Sequence, residues 1–390
     1  MQQLKFFLIA GETSGDILGA KLIESFKQHP SLEQYNLKFA GAGGKLMREK
    51  GLLEFFDMTE HAVVGAWEVL KHYSELKKIF NALIQHVIEE KPDVIILIDF
   101  PGFNLRFLKA IRKQISKIKN NTVWKPKFVY YVSPQLWAWH ESRFKLLEKH
   151  LDLLICIFPF EKSWYSLRAP KLKVEFVGHP IFDRYDLNSI CYEKNLERDN
   201  QPTVLLLPGS RDKEVQNHIP LLAETAKLLA RQLKCNFKVV LTKEQHIEQA
   251  KKFMADIPNL TLLLNEIEIA LKNACLAIAA SGTVTIECAV FGVPTIVFYK
   301  TSLITYLIGK KLIKVPYLSM PNILIGDEVF PEFIQYNATP ENLAQAAFKI
   351  LTDSQKSFKI KTQLKKVKNM LGEKGASFRA ADSIVKLLIN

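Results

Sequence analysis

Twice along this chain, about half its length apart, an apolar run breaks into a turn of small residues and then into a polar segment able to start a helix. The first instance is Phe6–Ala20, FFLIAGETSGDILGA, and the second is Thr203–Glu214, TVLLLPGSRDKE. Each reads as a buried strand, a turn whose small residues let the backbone approach an anion, and a helix offering unpaired N–H groups. A sequence that opens such a unit twice is expected to fold as α/β, with two Rossmann-like domains facing each other across a cleft that holds the ligand.

The 390 residues suffice for two cores. Strand-like runs follow the first turn near Leu37–Ala40, Asp93–Ile98, Lys127–Val132, Asp152–Phe158 and Lys173–Val177. Those of the second half fall at Val204–Leu207, Phe237–Leu241, Leu260–Leu264, Leu276–Ala280 and Thr295–Phe298. Helix-periodic segments between them imply parallel sheets covered on both faces. The polar stretch Asp183–Gln201 reads as the linker. It bounds an N-terminal domain at 1–185 and a C-terminal domain at 200–352, followed by a helical tail.

A formal net charge of +13 calls for an anionic partner such as a nucleotide, a phosphorylated substrate or an anionic membrane. The lysines form no compact, aromatic-interleaved RNA motif, so nucleic acid is not expected as a partner. The five cysteines (Cys156, Cys191, Cys235, Cys275, Cys288) are scattered and mostly in apolar runs, as buried reduced thiols would be. The short run Phe6–Ala10 reads as a first strand rather than an export signal. No stretch approaches the ~20 apolar residues of a membrane helix.

Ligands of parallel sheets sit beyond the carboxyl ends of the strands, which selects Gly11–Asp16, Asp99–Asn104, Ser133–Trp139, Pro208–Arg211 and Ser281–Glu287. Gly11, Glu12 and Ser14 in the first turn, and Gly209, Ser210 and Arg211 in the second, are expected to bind the nucleotide or the donor. Asp99 ends an apolar strand and is followed by what reads as a turn at Pro101-Gly102; a partly desolvated carboxylate there can serve as a general base or can simply cap that turn. Arg211 can fork onto a diphosphate or lie on the surface. Ser281, Gly282 and Thr283, with Glu287 a turn later, suit phosphate and ribose hydroxyls, or a plain helix cap. His179 can face the cleft or hold its own loop. No metal signature is present and no cofactor is expected. The turns lack G-x-x-x-x-G-K-[ST] and G-x-G-x-x-G, against an ATPase or a nicotinamide enzyme.

In Val63–Phe80, residues Val64, Trp67 and Leu70 share a helical face with Lys71, Lys77 and Lys78 nearby. A core-facing helix and a membrane-interface helix both fit that pattern. Leu303–Leu318, LITYLIGKKLIKVPYL, has the same character.

The segments AGETSGDILGA (10–20), LIDFPGFNLR (97–106), YVSPQLWAW (131–139), FPFEKSWY (158–165), FVGHP (176–180), LLPGSRDKEV (206–215), ASGTVTIE (280–287) and SMPNILIGDEVFPEFIQ (319–335) together resemble the lipid-A-disaccharide synthase family. The resemblance runs through nearly the whole chain. It implies an inverting, metal-independent glycosyltransferase of GT-B architecture. Such an enzyme joins UDP-2,3-diacylglucosamine to 2,3-diacylglucosamine 1-phosphate at the cytoplasmic face of the inner membrane, forming a β-1′,6 disaccharide and UDP. It further implies Asp99 as general base, Asn322 as an active-site residue, and Arg211 with Ser281–Glu287 as the UDP site. A C-terminal helix at 376–390 would pack back on the first domain. His140 and Asp327 depart from the family's usual arginines. A UDP-sugar epimerase on the same architecture is the rival reading, and its reaction would need no acceptor.

Overall fold

The computed structural model describes residues 1–58, 73–118, 124–187, 190 and 201–389. The chain divides into two compact units, Met1–Arg184 with Leu371–Asn390, and Tyr185–Met370.

In the first unit the strands are β1 (Gln2–Ala10), β2 (Tyr35–Gly43), β3 (Leu52–Asp57), β4 (Val94–Ile98), β5 (Lys127–Tyr131), β6 (Leu153–Cys156) and β7 (Val174–Phe176). Among the described residues they form one sheet in the order β3-β2-β1-β4-β5-β6-β7. Every pairing in it is parallel. The central strand β4 reads VIILI and is buried at every position, because helices cover both faces of a parallel sheet. On one face, Phe7, Ile9, Ile95, Leu97, Phe128 and Tyr130 pack with Leu83, Val87, Phe107 and Leu108 from the helices Tyr73–Glu90 and Pro101–Ile115.

The second unit repeats the plan with β8 (Thr203–Leu207), β9 (Asn236–Leu241), β10 (Leu260–Leu264), β11 (Leu276–Ala280), β12 (Thr295–Tyr299) and β13 (Glu332–Ile334). Their order is β10-β9-β8-β11-β12-β13, again parallel throughout.

Both sheets reverse their winding direction once. In the first the order turns between β1 and β4; in the second it turns between β8 and β11. At such a switch the connections on either side run away from each other and leave a crevice beyond the strand ends. The turns at Gly11 and Asp99 flank one switch, and those at Gly209 and Ser281 flank the other.

Three readings of the sequence change. Pro101 and Gly102 are not a turn but the first two residues of the helix Pro101–Ile115, with proline at a position where its missing N–H costs nothing. Asp183 is not linker. It sits in the short helix Ile181–Arg184, and its carboxylate accepts from the Gly375 and Ser377 amides ahead of the last helix. The edge strands β3, LLEFFD, and β13, EFI, do not stand out as apolar runs, because acidic residues interrupt the first and shorten the second.

The second compact unit continues through the basic helix Ser354–Met370, whose Ile360, Leu364 and Val367 are buried. The final helix, Ala376–Ile389, packs on Thr13–Lys27 and on β5 and β6 of the first unit. Phe378 stacks on His29 at 5.5 Å, and Arg379 donates to the Val177 carbonyl at 2.8 Å. Cys156, Cys235 and Cys288 are buried free thiols, and Cys275 is a partly exposed one.

Candidate active site

In the first unit, Gly11 leaves β1 against the ring of Phe100. A Cβ added at Gly11 would fall 2.1 Å from Phe100 Cδ1, so only glycine lets the turn after β1 approach the one after β4. Glu12 is the N-cap residue of Thr13–Lys27, and Ser14 is exposed on its first turn. Asp16, within the same motif, is buried and already occupied. Its carboxylate accepts from the amides of Gly44, Leu46 and Met47, each at 3.0 Å. The acid that ends GETSGD therefore ties the turn to the next helix and is not available to a substrate.

Asp99 and Phe100 both take left-handed backbone, with φ of 47° and 48°. Residues with a Cβ hold that conformation only where their surroundings enforce it, at about 1–3 kcal/mol each. Here the Asp99 carbonyl accepts from Tyr130 Oη at 2.6 Å and Asn104 Nδ2 at 2.8 Å, while its amide donates to the Tyr131 carbonyl at 2.9 Å. The helix Pro101–Ile115 has Phe100 at its N-cap and no side-chain cap, so Asp99 is not the helix cap. Its carboxyl is pushed up to about 6, first by burial and then by the negative charge of Glu12, against a lowering bond from the Phe100 amide. Such a group is ionised at neutral pH yet basic enough to take a proton.

Most of Ser133–Trp139 is structural. Ser133 Oγ donates to Tyr165 Oη at 3.1 Å, and Trp137 Nε1 donates to the fully buried Glu161 at 3.1 Å. Burial pushes the Glu161 carboxyl up to about 7. Trp139 alone among the large apolar residues here is substantially exposed, edged by His140. His179 is a loop anchor: Nδ1 accepts from the Ile181 amide at 3.2 Å, and burial pushes its pKa down to about 4.

In the second unit, Gly209 sits at φ 108°, and a Cβ there would lie 2.9 Å from Glu214 Oε2. Ser210 is exposed. Arg211 is the N-cap residue of the long helix Asp212–Gln232, half exposed, with Nη1 on Glu214 Oε1 at 2.9 Å. Beneath the turn the buried His218 spans the carbonyls of Pro208, at 2.7 Å, and Lys300, at 3.0 Å. Across the switch, Ser281 donates its amide to Phe298 at 3.0 Å, and Thr283 is the N-cap residue of Val284–Val290. A Cβ at Gly282 would meet nothing within 4 Å, so the chain is open there. Glu287 is buried and accepts from Tyr185 Oη at 2.8 Å.

Asn322 is fully engaged. Its Oδ1 accepts from the amides of Val329, at 2.9 Å, and Phe330, at 2.8 Å; its Nδ2 donates to the Phe330 carbonyl and to Glu332, both at 2.8 Å. The expected catalytic asparagine thus acts in this structure as the organiser of the 326–332 loop. Glu332, which the sequence did not single out, completes that network by also accepting from the Leu318 and Ser319 amides. Asp327 is exposed and caps the amide of Glu328 at 2.8 Å. Among the described residues no cluster of three or more His, Cys, Asp or Glu side chains could hold a metal ion. Val64, Trp67, Leu70 and Lys71 lie outside the described residues.

Comparison with known proteins decides the family. The model of the lipid-A-disaccharide synthetase family matches residues 6–386. A lipid-A-disaccharide synthase of Coxiella burnetii (strain RSA 331 / Henzerling II) is 36% identical over 358 residues, covering 90% of each chain. Lipid-A-disaccharide synthase 1 of Legionella pneumophila (strain Paris) is 34% identical over 386 residues, covering 97% of this chain and 96% of that one.

The chain belongs to the lipid-A-disaccharide synthase family. It is a glycosyltransferase of lipid A biosynthesis. Solved structures agree on the fold. The UDP-GlcNAc 2-epimerase of Neisseria meningitidis, bound to UDP-GlcNAc, superposes with a TM-score of 0.63 at 13% identity, covering 99% of this chain and 100% of that one. CalG4, the calicheamicin glycosyltransferase, gives 0.59 at 12% identity, covering 100% and 98%. Both support two Rossmann-like domains of GT-B type, and neither bears on substrate at that identity.

Proposed function

We propose that the chain joins UDP-2,3-diacylglucosamine to 2,3-diacylglucosamine 1-phosphate with Asp99 as the general base. Its carboxylate takes the proton of the acceptor 6-hydroxyl as that oxygen attacks the anomeric carbon of the donor. The bond from that carbon to the diphosphate oxygen breaks, and the electron pair leaves with UDP. Attack opposite the leaving group inverts the centre and yields the β-1′,6 linkage. Gly11, Glu12 and Ser14 form the wall beside Asp99.

UDP is held by the second unit. Gly209 and Ser210 bring backbone amides to the diphosphate, Arg211 forks onto its oxygens, and Ser281–Thr283 approach it from the other side of the switch. Glu287, braced by Tyr185, accepts from the ribose. No metal ion takes part: amide dipoles and the guanidinium carry the charge that develops on the leaving group.

One observation carries the reading. The strained residue that ends β4 is a desolvated carboxylate, fixed by two side-chain donors at the switch of its sheet. A residue held at that conformational cost is expected where its side chain is used.

UDP release from the diacylated donor, measured with and without the monosaccharide phosphate acceptor, tests it. Release is expected only with acceptor, and Asp99→Asn should lower it by ~10²–10⁴ while UDP still binds. Conversion of the donor sugar without acceptor would favour the epimerase reading. A variant within a few-fold of wild type would remove Asp99 from the chemistry.

Both substrates carry acyl chains, and no helix among the described residues is long and apolar enough to cross a membrane. The enzyme is proposed to work attached peripherally to the anionic cytoplasmic face of the inner membrane. Val64, Trp67, Leu70 and Lys71 are proposed contacts of the first unit with that surface.

A further inference from the structure

The helix Leu303–Leu312 turns apolar side chains to solvent. Leu303 is 52% exposed, Leu307 57%, Leu312 39% and the following Ile313 45%. Single exposed leucines are ordinary on protein surfaces. Clustering is not: among the described residues, no other stretch of eleven positions holds more than two exposed large apolar side chains. Leu303 and Leu307 stand four residues apart and share one helical face. Beside the helix, Tyr306 meets Tyr336 edge-on at 6.3 Å, and Tyr336 is itself 70% exposed.

The charge within this segment of the chain has one sign. Lys310 and Lys311 close the helix and Lys314 follows it, all exposed, and the segment from Thr301 to Met320 contains no acidic residue. Lysines in a last turn also suit the helix dipole. That accounts for Lys310 and Lys311 but leaves the leucines, Ile313 and Tyr336 in water without a role. Leucines that enter an acyl region, a tyrosine at the headgroup level and lysines reaching phosphates match the layers of an anionic bilayer in turn. A second protein copy would be a poorer match, because like charges would meet across a two-fold contact.

We propose that the exposed face of Leu303–Lys314, with Tyr336, is a docking surface for anionic phospholipid on the second unit. It rests on the reading of this enzyme as one that draws diacylated substrates from a membrane. Its place on the unit proposed to bind UDP would tether the donor-binding half of the enzyme to the bilayer that supplies its lipid substrate. One short helix gives reversible attachment, not anchoring.

Vesicle flotation of the full chain tests it, using phosphatidylcholine vesicles with and without phosphatidylglycerol. Leu303→Ser combined with Leu307→Ser should weaken binding to the anionic vesicles by about tenfold or more. Lys310→Gln combined with Lys311→Gln should weaken it only where phosphatidylglycerol is present, and should flatten its salt dependence. Both variants should keep the wild-type melting temperature and wild-type activity on detergent-dispersed substrates. Binding of both variants at wild-type strength would overturn the proposal. So would sedimentation showing a wild-type dimer that the leucine variant dissolves, since the face would then belong to a second copy. Failure of the wild-type chain to release UDP in detergent would count against the enzyme reading alone, because the flotation comparison does not depend on turnover.

Discussion

Tyr130 on β5 donates its hydroxyl to the main-chain carbonyl of Asp99 across 2.6 Å, and Asn104 donates to the same oxygen from the helix that follows. Both donors are fully buried. They act on the backbone of Asp99 and leave its carboxylate to the crevice. Tyr130→Phe keeps the ring and removes one of the two bonds, a loss of about 1 kcal/mol in a buried site. The expected result is a fall in kcat of about fivefold with KM and UDP inhibition little changed, since aim is lost and binding is not. Asn104→Ala should be worse, because Asn104 also holds the Ile98 carbonyl at 3.2 Å. A Tyr130→Phe enzyme with wild-type kcat would show that the carbonyl contact does not position the carboxylate.

The raised pKa of Asp99 makes the site a cost to the fold. Its carboxyl stands near 6 in the folded chain against 3.8 without the fold, so the folded form binds this proton more tightly. The associated stabilisation is complete below pH 3.8 and is lost as the pH rises through 6, which is the reverse of a salt-bridged aspartate. Two pH units correspond to roughly 3 kcal/mol at neutral pH. Asp99→Asn should therefore be more stable than wild type at pH 8 by up to roughly that amount, with no advantage at pH 4. Urea unfolding at the two pH values measures it. The wild-type rate should fall below about pH 6 as the base is protonated. Equal stability of the two proteins at pH 8 would mean that the carboxylate is not desolvated.

How far the sequence revealed these features depended on the range of the interactions. Runs such as VIILI at 94–98 and LAIAA at 276–280 are legible because both faces of a central parallel strand are buried. The turns after them are legible because a switch point needs small residues and a polar end. What stayed hidden is what depends on partners far along the chain. Asp16 looks like a ligand-facing acid until the amides some 30 residues later are seen to occupy it. Asn322 looks catalytic by resemblance, and its bonds to Phe330 and Glu332 appear only once the loop is folded. Glu161 did carry a local signal, standing three residues after Phe158 as the acid of a first helical turn, where its carboxylate accepts from the Phe158 amide at 3.2 Å.

Asn322→Asp separates a structural asparagine from a reacting one. The substitution keeps Oδ1 for the two amides but sets a second carboxylate against Glu332 and a carbonyl. Losing two buried donors and crowding two anions should cost at least ~2–3 kcal/mol. The second unit should melt several degrees lower at pH 8, with partial recovery toward pH 5 as one carboxyl takes up a proton. A variant that melts like wild type but is inactive would return Asn322 to the chemistry.

Arg211 pairs with Glu214 across 2.9 Å in the first turn of its helix. Asp212, the other acid of that first turn, is already neutralised by Lys243 at 2.7 Å and contacts His246 at 2.8 Å. Glu214 is therefore the charge that competes with a diphosphate for the guanidinium. If Arg211 binds UDP it must leave Glu214 to do so, and the two residues should have opposite effects. Arg211→Ala removes a charge-assisted contact worth ~1.5–3 kcal/mol, so inhibition by UDP should weaken by between about tenfold and a hundredfold. Glu214→Gln releases the guanidinium and removes an anion from the turn, so UDP should bind a few-fold more tightly. Arg211 is exposed and the pair is a single contact within one helical turn, so neither change should move the melting temperature by more than a degree or two. UDP inhibition constants for wild type and both variants, measured at one ionic strength, decide the matter. Equal constants in all three would leave Arg211 as a surface residue paired with Glu214 at the start of its own helix, and the diphosphate would then rest on the backbone amides of Gly209, Gly282 and Thr283.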